Sequence, residues 1–185
     1  ASTGNIAIGT GSMAGAMNGA ANNTALGKSA LAALTEGDNN TALGQAAGIA
    51  ITTGGGNVII GQAAGSSTTD VDNAVIIGRD AGGANMDSDA DGTVAVGYAA
   101  GTAITSGQKN VAVGYQALDA EDDGDFNTAI GHQALSAQTG TSGEVGNTAV
   151  GYQAGNAMVK GAFNTLIGAS AAGSDDYGDT TTAVG

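Results

Sequence analysis

The phrase Asn-Thr-Ala-aliphatic-Gly recurs along the whole chain, closing at Gly9, Gly27, Gly44, Gly61, Gly78, Gly97, Gly114, Gly131, Gly151, Gly168 and Gly185. Successive spacings are 18, 17, 17, 17, 19, 17, 17, 20, 17 and 17 residues, so one unit of about 17 residues repeats with small insertions. A unit at fixed period contacts mainly its neighbours, and such a chain stacks coils instead of collapsing around one centre. The expected fold is all-β: a parallel β-solenoid of about 17-residue coils, with residues 1–185 forming a single repeat domain. At about 4.8 Å per stacked strand, its coils would make a rod on the order of 50 Å long. The phase reaches both termini, so the chain is expected to be an excerpt of something longer.

Columns follow from the period. The residue before each anchor glycine is always aliphatic, as at Leu26, Leu43, Ile60, Ile77 and Val96, and two places earlier stands Thr or Val in all but the first coil, which has Ile6. Side chains alternate along a strand, so these two columns share one face. The residue between them is mostly alanine, as at Ala25, Ala42, Ala95, Ala112, Ala129 and Ala149, and points the other way. A strand apolar on both faces must be covered on both. The expectation is that the Thr/Val and aliphatic columns turn inward, while the alanine face meets the same face of an identical subunit. The alternative is that the alanines face the far side of their own coil.

Asn5, Asn23, Asn40, Asn57, Asn110, Asn127, Asn147 and Asn164 open the phrase, with Asn73 one place early and Thr93 and Thr181 substituting. Asparagine tolerates left-handed backbone and hydrogen-bonds nearby peptides, so it suits a corner, and stacked amides can form a ladder. The anchor glycines mark the opposite corner, where a positive φ or close backbone contact excludes a Cβ. A further small column, Ala30 through Ala171, lies three residues past the anchor. The last third of each coil varies in length and is expected to be an exposed polar edge.

Composition narrows the function. With four Lys and Arg against a net charge of −13, the chain lacks the clustered cations that nucleic acid or an anionic membrane surface requires. No apolar run is long enough to insert in a bilayer as a helix. Zero cysteines exclude disulfides and thiolate metal sites.

Asn147-Thr148-Ala149-Val150-Gly151-Tyr152-Gln153-Ala154 and Asn110-Val111-Ala112-Val113-Gly114-Tyr115-Gln116-Ala117 resemble the repeats of bacteriophage tail-fibre proteins, where N-T-A-V-G-Y-Q-A strings recur. In pattern they are also similar to the heads of trimeric autotransporter adhesins, left-handed β-rolls of shorter period. The resemblance covers essentially the whole chain. It implies a β-roll in a side-by-side homotrimer, extracellular or virion-borne, working with other fibre or virion proteins and meeting a host cell-surface glycan or protein.

Candidate chemistry is sparse. Asp87-Ser88-Asp89-Ala90-Asp91-Gly92 has the opening of a calcium loop, in which alternate carboxylates converge on a hard cation, but its twelfth position is Tyr98 and the bidentate glutamate is missing. Ca²⁺ at Asp87, Asp89 and Asp91 is one reading, and a solvated acidic stripe is the other. The stripe would also contain Asp70, Asp72, Glu121, Asp122, Asp123, Asp125, Asp175, Asp176 and Asp179. Tyr98, Tyr115, His132 and Tyr152 directly follow their anchors, a row that could offer a flat face to a sugar or pack ring on ring. Arg79 and Asp80 could pair at the surface. No nucleophile, base and orienting residue stand at matching spacing, so no enzyme is expected.

The expected function is a structural and adhesive segment of a phage tail fibre, a rigid trimeric rod presenting loops for host attachment. Alternatives are the head of a bacterial surface adhesin, an ice-binding solenoid and a glycan-cleaving tailspike. The ice-binding reading is disfavoured by threonines expected to point inward.

Overall fold

The computed structural model describes residues 2–139, 143–172 and 178–185. Eleven three-residue strands, from Ile6–Ile8 to Thr182–Val184, form one parallel sheet in sequence order. Each pairs with the next without stagger, Thr24 with Thr41, Thr41 with Val58 and Val58 with Val75. The chain is therefore a parallel β-solenoid whose columns run straight along its axis.

The strand orientation is the reverse of that expected. Ala25, Ala42, Ile59, Ile76, Ala95, Ala112, Ala129, Ala149 and Leu166, the middle residues, are buried within their own coil. The Thr/Val and aliphatic columns point outward, with Leu26, Leu43, Ile130 and Ile167 each about two-fifths exposed. Width decides the orientation. The interior also receives the second small column, Ala30, Ala47, Ala64, Ala81, Ala100, Ala117, Ala134, Ala154 and Ala171, and two small columns fit a space that a leucine–threonine face would overfill.

Volume is balanced coil by coil. Four residues past the anchor stands Leu31, Leu118 or Leu135 where both neighbouring strand centres are alanine, and Gly48, Gly65, Gly82 or Gly155 where at least one is Ile59, Ile76 or Leu166. A Cβ on Gly48 would approach Ile59 Cδ1 to 3.0 Å, and one on Gly155 would approach Leu166 Cδ1 to 2.7 Å. Gly101 departs from the rule, and Ile104 Cδ1 fills its place, 2.9 Å from where a Cβ would stand.

The last third of the coil is not uniformly an exposed edge. Six residues before the Asn column lie Leu34, Ile51, Ile104 and Met158, all fully buried. With Met86 one place displaced and Met17 partly buried, they form a third interior wall. Polar loops occupy only the positions around it.

The Asn column forms the expected ladder. Asn23 Oδ1 accepts from Asn40 N at 2.8 Å, Asn40 Oδ1 from Asn57 N at 3.1 Å and Asn57 Oδ1 from Ala74 N at 2.8 Å. Each Nδ2 donates inside the coil, Asn40 to Gly54 O at 2.8 Å and Asn57 to Val71 O at 2.7 Å. The left-handed corner lies one residue earlier than expected, at Asn22, Asn39, Asn73, Lys109, Phe126 and Phe163, with φ between 51° and 62°. Asn73 belongs to that corner, which leaves Ala74 and Thr93 as a gap in the ladder. Thr93 Oγ1 is buried without a partner.

The anchor glycines satisfy both halves of their expectation. Gly44 has φ 138°, and a Cβ there would lie 2.5 Å from Gly61 O in the next coil. Any larger residue at this corner is excluded twice, by backbone conformation and by space.

Candidate functional site

Three surface features carry chemistry, and the columns place them all. The first is the outward sheet face. From Thr24 and Leu26 to Thr165 and Ile167 it presents only Thr, Val, Leu and Ile in two aligned columns. On a chain of net charge −13, this strip has no charged residue.

The second borders the aliphatic column. Tyr98, Tyr115, His132 and Tyr152 stand on successive coils and stack, with centroid separations of 5.1, 5.0 and 5.3 Å and interplanar angles of 19°, 9° and 26°. Strand spacing of about 4.8 Å is close enough to ring thickness that residues of equal phase must stack. Arg79, at the same phase one coil earlier, lies 4.7 Å over the Tyr98 ring while its guanidinium pairs with Asp80 at 3.3 Å. Beside the rings runs an amide ladder, Gln153 Nε2 to Gln133 Oε1 at 3.0 Å and Gln133 Nε2 to Gln116 Oε1 at 3.3 Å. The sequence signal for this ladder was the Gln following each ring from Tyr115 onward.

The third is acidic. The insertion between Gly78 and Gly97 folds as a single 3₁₀ turn, Ser88–Ala90, and Asp87 caps it by accepting from Asp89 N at 2.9 Å. Asp91 instead accepts from Asp72 N at 2.7 Å in the neighbouring coil. The carboxylates of Asp87 and Asp91 are thus put to separate uses. Among the described residues, only Glu121, Asp122 and Asp123 bring three carboxylates within 4.8 Å of one another. Part of the acidic stripe is structural, since Asp72, Asp125 and Asp179 accept from the backbone N–H groups of Gly55, Gln108 and Ala162 in the preceding coils, as Asp38, outside the stripe, accepts from Ala21 N. Asp175 and Asp176 lie outside the described residues.

Glu121 leaves the expected stripe altogether. It occupies the third interior wall and is fully buried, with Oε1 accepting from Asp122 N and Gly124 N and Oε2 from Gln138 Nε2 at 2.6 Å. Gln138, buried one coil further on, also donates to Asn127 Oδ1 and accepts from Asn147 Nδ2. Burial pushes the Glu121 carboxyl above its ordinary value, and its hydrogen bonds oppose that shift. Asp123 is also raised, by burial first and then by the Asp122 charge, and its Oδ1 is unpartnered. Glu121 already serves three donors, which leaves Asp122 and Asp123 as the less committed carboxylates of the three. No protein-family model matches this chain, and neither does a curated protein or a solved structure.

Proposed function

We propose that this chain is a structural and adhesive fibre segment, a stiff rod that associates side by side with copies of itself and presents its edges to a host surface. The observation that carries the reading is the outward sheet face, in register and uncharged, with an unbroken aliphatic column beside a Thr/Val column, on a strongly acidic molecule. At a length on the order of 50 Å and a width of about 10 Å, the strip covers about 500 Å². That lies toward the upper end of what monomers expose, and patches of this size are often functional. A second copy is the fitting occupant. Its identical face brings no charge to desolvate, whereas the acidic loop edge would bring carboxylates. The N-T-A-V-G-Y-Q-A resemblance supports three copies and a phage tail fibre.

Sedimentation tests this directly. The wild-type chain is expected to sediment as a discrete oligomer, and Ile77→Glu on the exposed face as a folded monomer with unchanged circular dichroism. A wild-type chain that stays monomeric at micromolar concentration sinks the proposal. Ice binding gains one observation, because the threonines point outward after all. Val58, Val75, Val94 and Val111 interrupt that hydroxyl row across the central coils, and a thermal-hysteresis measurement separates the two readings.

A further inference from the structure

We infer that the open end of the aromatic column is a pyranose-binding notch, formed by Tyr152, Gln153, Ala169 and Ser170. The inference deepens the adhesive reading above by giving it a ligand class, and it rests on that reading only for its biological use.

The stack is closed at one end and open at the other. Arg79 covers the first ring, and each interior ring is covered on both faces. In the next coil the backbone continues in the same register. Gln116, Gln133, Gln153 and Ser170 N–H donate in turn to the carbonyls of Tyr98, Tyr115, His132 and Tyr152 at 2.9, 2.8, 2.8 and 2.7 Å. Ala169 therefore stands where the next ring would be, and brings a methyl group instead. Among the described residues no ring fills the gap over the outer face of Tyr152, and Tyr152 is 54% exposed against 36% for Tyr98.

Polar groups flank that gap. Each amide of the glutamine ladder donates to the preceding coil, so the ladder ends on Gln153 Oε1, an acceptor that no donor among the described residues meets. Ser170, exposed and fixed to Tyr152 by its backbone bond, adds a hydroxyl one coil on. An aromatic face with an amide oxygen and a hydroxyl at its side matches a sugar ring, whose C–H face is apolar and whose rim carries hydroxyl groups. A guanidinium could also stack there, as Arg79 does at the far end, but Arg79 has the Asp80 carboxylate beside it. The groups named here are neutral. One such notch per chain is a weak site, and copies held at equal height on a rod would bind a repetitive glycan through avidity.

The test uses the full chain and saturation-transfer NMR with four probes: the methyl glycosides of glucose, galactose, mannose and N-acetylglucosamine. Transfer to the ring C–H protons of at least one probe is expected, with a dissociation constant on the order of 1–10 mM. Ala169→Tyr would extend the column and fill the notch without deleting any group, and Tyr152→Ala would remove the platform. Both should abolish transfer, while Tyr98→Ala at the capped end should not. The proposal is overturned if no probe shows transfer, if transfer survives in either notch variant, or if N-acetylarginine amide binds the wild type and the sugars do not. Sedimentation of the same samples reports the fibre reading separately, since a chain found monomeric would still bind or fail to bind the glycosides.

Discussion

At the level of single residues, the interior is held by groups that serve the neighbouring coil as much as their own. Removing the Asn40 side chain strands Asn57 N and Gly54 O. At about 1–3 kcal/mol for each buried group left unpaired, Asn40→Ala should cost about 2–6 kcal/mol. The gap at Thr93 predicts the opposite sign. By the ladder's own spacing, an asparagine there would accept from Asn110 N and donate to Gly107 O. Thr93→Asn should therefore stabilise by about 1 kcal/mol, read as a higher denaturant midpoint with unchanged slope; a lower midpoint would refute the ladder as a stabilising device. Glu121 gives a pH signature. With its carboxyl raised by burial, the folded state holds protons that the unfolded chain releases. Stability thus falls as pH rises from the ordinary glutamate value of 4.5 through the folded value. Asp119 and Asp123, also raised by burial, act with the same sign. Denaturation at a series of pH values should show a shallower decline for Glu121→Gln than for wild type. The slope is the readout, because the new amide would face the Gln138 amide donor to donor. Equal slopes would clear Glu121 of the effect.

At the level of the coil, balance between facing positions replaces the usual single core. Ile59→Ala opens a cavity and should cost about 2–4 kcal/mol. Gly48→Leu in the same chain should recover part of that loss, because the pair then matches the leucine–alanine coils. Leucine already occupies this left-handed position at Leu31, Leu118 and Leu135, with φ near 50°. Thermal melts of the two singles and the double check this as a cycle; additive effects would mean that the positions do not share volume. The period, the strands, the glycine corner and the asparagine ladder were legible because each repeats a chemical necessity at fixed phase. The inside of the strand was not. Both of its faces are apolar, and only the width of the finished coil selects alanine for the interior. The third wall was missed because Leu34, Ile51, Ile104 and Met158 vary in type and share phase only when counted back from the Asn column. Glu121 was misplaced with them, read as one more acid when its phase marked it as interior.

At the level of the whole molecule, charge and apolar surface are segregated. The strip itself carries no charge, while the acidic groups stand on the loops and corners outside it, where they keep unrelated molecules apart. The candidate site was half legible. The aromatic row was visible as a row, and Gln116, Gln133 and Gln153 could be read beside it. That it ends in an open notch depends on a negative feature, Ala169 in place of a ring, which gains meaning only once the coils are stacked.

The unstaggered pairing of every strand has a last consequence. Since Gly44 and Gly61 occupy equivalent corners, cutting out residues 45–61 would rejoin two ends that already fit, and the product would be the same object shorter by about 4.8 Å. Reach along the axis is therefore a quantity that genetic duplication or loss can adjust in whole steps, leaving every remaining neighbour relation intact.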